Sequence, residues 1–98
     1  MAGLIASLPP TEEKGRNMEN RVAVIGIIVE DKASVPQLNT LLSEYGEYII
    51  GRMGIPYRAR GVNIICIAID APTEKIDALT ASLSGIDGIR AQATYSHL

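Results

Sequence analysis

Ninety-eight residues set a single domain, with a core large enough to fold and little surplus. The chain is 47% hydrophobic and 20% charged, which excludes disorder, and its net charge of −2 lacks the basic excess of a nucleic-acid surface. Without Trp or Phe the core has to be aliphatic, and with one cysteine there is no internal disulfide, as suits a reducing cytoplasm.

Residues 1–20 differ in character from the rest. A short, weakly apolar start is followed by Pro9-Pro10 and a polar stretch, with neither the positive start nor the apolar length of a secretory signal. They read as a flexible N-terminal extension ahead of a domain over 21–96, with Met18 as an alternative start. No apolar run reaches the roughly 18–20 residues of a membrane span.

Residues 21–30, R-V-A-V-I-G-I-I-V-E, are apolar at nearly every position, which predicts a central strand. After the polar link 30–33, Ser34 and Gln37 have the spacing of a capping box, with Pro36 in the first turn. Val35, Leu38, Leu41, Leu42 and Tyr45 recur at helical spacing, and Gly46 closes the helix as the residue just past its C-cap. Residues 48–55 form a weaker strand. Gly51 and Gly54 suggest a bulge or bend, and Pro56 puts the strand at a sheet edge. Arg58 to Gly61 then turn the chain into 62–70, V-N-I-I-C-I-A-I-D, a second doubly apolar strand. Thr73 is the expected N-cap of a second helix with stripe Ile76, Leu79, Leu83 and Ile86, ended by Gly85 and Gly88. The final stretch alternates, Ile89, Ala91, Ala93 and Tyr95 inward and Arg90, Gln92 and Thr94 outward, as an outer strand does.

A weak repeat supports this division: Val29-Glu30 returns as Ile69-Asp70, and Val35, Leu38 and Leu42 as Ile76, Leu79 and Leu83. Each half is strand, helix, strand. The expected fold is therefore α+β, ferredoxin-like βαββαβ, an antiparallel four-stranded sheet with two helices on one face and strands one and three central. Helices on one face leave the other open, yet the central strands are apolar on both. A second copy of the chain is the economical cover, so a homodimer or homotetramer is expected.

Chemistry is sparse. His97 stands next to the chain's end, and Cys66 reads as an inert buried thiol among isoleucines. One histidine and one cysteine do not assemble a catalytic triad or a transition-metal site. Glu30, Asp31 and Asp70 at strand ends read as caps and solvated links rather than as catalysts. Neither catalysis, a metal nor a cofactor is expected. The central strands carry no aromatics on which RNA bases could stack. The concentrated feature is 45–61, Y-G-E-Y-I-I-G-R-M-G-I-P-Y-R-A-R-G. Arg52, Arg58 and Arg60 offer forks for carboxylate or phosphate, and the glycines allow close approach. Against this stands a plain edge strand whose arginines are solvated or pair with Glu44 and Glu47.

The strings R-V-A-V-I-G-I-I-V-E-D, E-Y-G-E-Y-I-I-G-R-M-G-I-P-Y-R and G-V-N-I-I-C-I-A-I-D-A-P resemble the small regulators of the iron-only hydrogenase system, proteins with an ACT-like ferredoxin fold. The likeness runs from about residue 21 to 95, and I-I-G-R-M-G-I-P-Y is its specific part. It implies a cytoplasmic, non-enzymatic regulator in an anaerobic bacterium, whose partners are its own copies and a small anionic effector or a hydrogenase-maturation protein. ACT domains and the C-terminal domain of nickel-responsive repressors are wider kin. Here the loop after strand one lacks their glycine, and 49–70 holds no histidine, so neither amino-acid binding nor nickel sensing carries over. The candidate ligand-binding residues are Asp31, Ser34, Arg52, Tyr57 and Arg58.

Overall fold

The computed structural model describes residues 20–97. The expectations for the extension and for Met18 lie outside these residues, except that Asn20 already belongs to the first strand. The elements run β1 (Asn20–Val29), α1 (Val35–Glu44), β2 (Ile49–Tyr57), β3 (Val62–Pro72), α2 (Thr73–Ser84) and β4 (Ile89–Tyr95), with single 3₁₀ turns at Lys32–Ser34, Gly46–Tyr48 and Arg58–Arg60. The sheet order is β2-β3-β1-β4, and every neighbouring pair is antiparallel. This is the α+β, ferredoxin-like arrangement, with the doubly apolar strands in the centre.

One face of the sheet carries the core. Ile25, Ile27, Ile67 and Ile69 meet Leu38 of α1 and Ile76, Leu79 and Leu83 of α2, all essentially without solvent exposure. These aliphatic side chains pack at period two on the strands and three to four on the helices. The other face stays open. Val22, Val24 and Ile28 of β1, Ile64 of β3, and Met53, Ile55 and Tyr57 of β2 are exposed hydrophobics. Their registers, Ile28 with Ile64 and Ile64 with Ile55, put them side by side on one surface.

Several local expectations are corrected. Ser34 does not form a capping box: no side-chain bond caps α1, and Ser34 Oγ instead donates to the Asp87 carbonyl at 2.5 Å. Asp31 instead caps the preceding 3₁₀ turn, its carboxylate accepting from Ala33 N–H at 3.0 Å. Gly46 follows the C-cap Tyr45 of α1, as expected, and opens a 3₁₀ turn, whereas Pro72 rather than Thr73 occupies the N-cap of α2. β2 runs two residues beyond the expected end and includes Pro56, which an edge strand tolerates. The bulge announced by Gly51 is present, as a register shift between Ile49 and Gly51.

Candidate functional site

The end of the sheet that carries the β1–α1 loop is tied together by main-chain chemistry. Glu30 N–H donates to the Gly88 carbonyl at 2.6 Å, and Ser34 N–H to the Asp31 carbonyl at 3.0 Å. Gly88 has φ +80°, and a Cβ there would lie 2.5 Å from Asp31 Cβ and 3.2 Å from Asp31 N. Only glycine satisfies both the left-handed backbone and the close crossing. With the Ser34–Asp87 bond, this clasp fixes the β1–α1 loop against the α2–β4 turn. Asp31 and Ser34 therefore already have structural partners, though the Asp31 side chain remains exposed.

The other three candidates stand on β2 and just after it. Tyr57 pairs with Val62, one step past the row where Asn63 joins Val29 to Pro56. Tyr57 and Arg58 thus share Asp31's end of the sheet, two strand spacings or about 10 Å across. Arg52 is five residues back along β2, about 17 Å away. Its register partner Ile67 faces the helices, so Arg52 leans to the helical side, where its guanidinium donates to Asn39 Oδ1 at 3.3 Å. Tyr57 projects on the open face instead. The structure brings together Asp31, Ser34, Tyr57 and Arg58 at one end and sets Arg52 apart.

Cys66 also differs from expectation. It is half-buried on the open face, beside Gly26 in β1 and Met53 in β2, not sealed in the core. Strand 62–70 is apolar on both sides, which hides the phase; Asp70, four residues on and exposed, marks the open-face parity. Gly26, Val24, Ile28, Ile64, Arg90 and Gln92 line a shallow hollow there. Sequence reasoning missed Gly88, Asp87 and Asn39 as positioning residues.

The Tyr95 phenol is pushed up to about 12, first by partial burial and then by its hydrogen bond to the Asp77 carboxylate. Arg90 Nε meets Glu30 Oε2 at 3.6 Å at the rim of the open face. Among the described residues no three His, Cys, Asp or Glu side chains gather to hold a metal, and no helix is long and apolar enough to cross a membrane.

A family model, TM1266-like, described as candidate regulators of the iron-only hydrogenase system, matches residues 21–93. The chain belongs to that family. Among solved structures it is similar to protein TM1266 from Thermotoga maritima, at 29% identity and TM-score 0.75 over 79% of this chain and 98% of that one. The ACT domain of GTP pyrophosphokinase from Chlorobium tepidum superposes at TM-score 0.66 and 20% identity, over 76% of this chain and 99% of that one. At that identity the likeness shows the fold, which is ACT-like. A formyltetrahydrofolate deformylase from Pseudomonas putida shares the fold at TM-score 0.54 and 14% identity, over 74% of this chain and 28% of that enzyme. No curated protein is matched by sequence.

Proposed function

We propose that this family member is a non-enzymatic, homo-oligomeric regulatory module of the iron-only hydrogenase system, cytoplasmic in an anaerobic bacterium. The observation that carries the reading is the contiguous apolar open face, where Met53 is 60% and Ile55 53% exposed. Leaving such a face in water forgoes about 25 cal/mol for each Å² that an association would cover. Regulation then acts through what binds the assembled module: a small anionic effector or a hydrogenase-maturation protein, received by Tyr57 and Arg58 beside the Asp31–Ser34 loop. An arginine fork beside an exposed tyrosine suits carboxylate or phosphate.

Calorimetric titration with small carboxylates, phosphates and purified maturation proteins tests the reading. Arg58→Ala should weaken binding while leaving the circular dichroism spectrum unchanged, and Arg52→Ala, set apart on the helical side, should bind as the parent does. If Arg58→Ala binds and activates hydrogenase as the parent does, the site assignment is wrong. A stable monomer by light scattering at micromolar concentration would remove the oligomeric part.

A second reading is favoured by one contact. Because the Arg52 guanidinium is already engaged with Asn39, the segment would serve assembly alone, as a structural interaction module without an effector. Arg52 and Gly54 variants would then dissociate rather than lose a ligand.

A further inference from the structure

The strand register restricts how two copies can meet. β1 and β3 pair continuously, so each open-face residue of one stands beside one of the other: Val24 beside Ala68, Gly26 beside Cys66, Ile28 beside Ile64. Beyond these, Met53 flanks Cys66 on β2, and Gln92 flanks Gly26 on β4. Gly26 leaves a gap in the middle of the surface, since a Cβ built there meets nothing within 4 Å.

We propose that the open face is the docking surface for a second copy of this chain, packed sheet on sheet about a twofold axis that lies between the sheets along the line dividing β1 from β3. The inference rests on the self-association proposed above and specifies its geometry. This operation sets β3 of one copy over β1 of the other and keeps the rows in step. Cys66 then enters the gap above Gly26 of the second copy, Val24 rests on Ala68, and Ile28 meets Ile64. Each row is complementary to itself, which an isologous contact requires. The packing is the aligned kind found in sandwiches, with sheets about 10 Å apart.

Area and charge agree with this occupant. Four strands about 4.8 Å apart and about 30 Å long present roughly 600 Å² per copy, so the pair reaches about 1,200 Å², the lower bound for a stable complex. The centre of the face is uncharged, whereas Arg90 stands on the outer strand β4 and Glu30 and Asp70 stand toward the strand ends, as in an interface with an apolar centre and polar rim. Pairing through the β2 edge would leave this surface wet, and that edge is interrupted by the bulge before Gly51 and by Pro56.

The experiment combines light scattering, maleimide labelling of the native thiol and Gly26→Lys. The chain has one cysteine, so all maleimide uptake reports on Cys66. In the proposed pair Cys66 lies between the sheets, so the folded parent should take up maleimide slowly and only the urea-unfolded chain fast. Gly26→Lys should fold with an unchanged circular dichroism spectrum, because its side chain has room in the single chain, yet be monomeric and take up maleimide fast while folded. If the parent is dimeric and Gly26→Lys remains dimeric, the geometry is overturned while self-association stands. A monomeric parent overturns both. A monomer whose Cys66 becomes protected from maleimide only when a hydrogenase-maturation protein is added gives the face to that partner and overturns the proposal.

Discussion

Replacing Gly88 by alanine tests the clasp that holds the candidate site. The methyl group would sit 2.5 Å from Asp31 Cβ and 3.4 Å from its Cα, and the backbone would have to keep φ +80° with a side chain attached. The left-handed conformation alone costs a non-glycine residue about 1–2 kcal/mol. Pushing the β1–α1 loop away weakens the 2.6 Å Glu30–Gly88 hydrogen bond, about 1 kcal/mol, and strains the neighbouring Ser34–Asp87 bond. The expected loss is about 2–4 kcal/mol, a large share of the roughly 5–15 kcal/mol of a small domain. It should lower the melting temperature by roughly 10–25 °C. Urea denaturation followed by far-ultraviolet circular dichroism at one fixed protein concentration measures it, because self-association would otherwise enter the stability. Gly46→Ala is the control: Gly46 has no positive φ, and its added Cβ meets nothing within 4 Å, so it should gain about 0.4–1 kcal/mol. If Gly88→Ala stays within about 0.5 kcal/mol of the parent, the crossing does not hold the loop and the reasoning fails.

Ile67→Ala removes a fully buried side chain from the middle of β3 and should cost about 2–5 kcal/mol, read from the urea midpoint with an unchanged slope. Ser34→Ala leaves the Asp87 carbonyl without its side-chain donor and should cost about 1 kcal/mol by the same measurement. Tyr95 predicts an alkaline effect. Its folded pKa of about 12 exceeds the unfolded value of 10.0, so above pH 10 the unfolded chain releases a proton that the folded one retains. Its stabilising contribution should be full below pH 10, fall as pH rises to about 12, and be absent in Tyr95→Phe, which melting curves across that interval would resolve.

The architecture was legible because the pattern is redundant. Strands 21–30 and 62–70 are apolar on both sides and rich in β-branched residues, and the helical stripes are built mainly on Leu38, Leu42, Leu79 and Leu83, so most of these residues favour the elements they form. That same redundancy concealed which side each strand residue faces. In I-I-C-I-A-I no polar residue sets the phase, so Cys66 read as buried when it lies on the open face. The caps misled for a different reason. Ser34 has the spacing of a capping box, but its hydroxyl has a partner 53 residues away, and spacing carries no information about contacts at that range. The candidate site was readable as composition only. The arginines are visible in I-G-R-M-G-I-P-Y-R, whereas register alone puts Arg52 on the helical side and Tyr57 on the other.

The bulge before Gly51 and the proline at position 56 bear on solubility as well as shape. Ile50, Met53 and Ile55 give β2 the makings of a sticky border, and Ile50 is 64% exposed. A border strand of that composition could template further strands one after another into a ribbon. The extra residue disturbs the pleat at one end, and the ring at the other offers no donor to an incoming chain. Only a few residues between them remain regular, too few to seed a growing sheet. The chain can thus expose a broad greasy surface for a partner while its border discourages fibres.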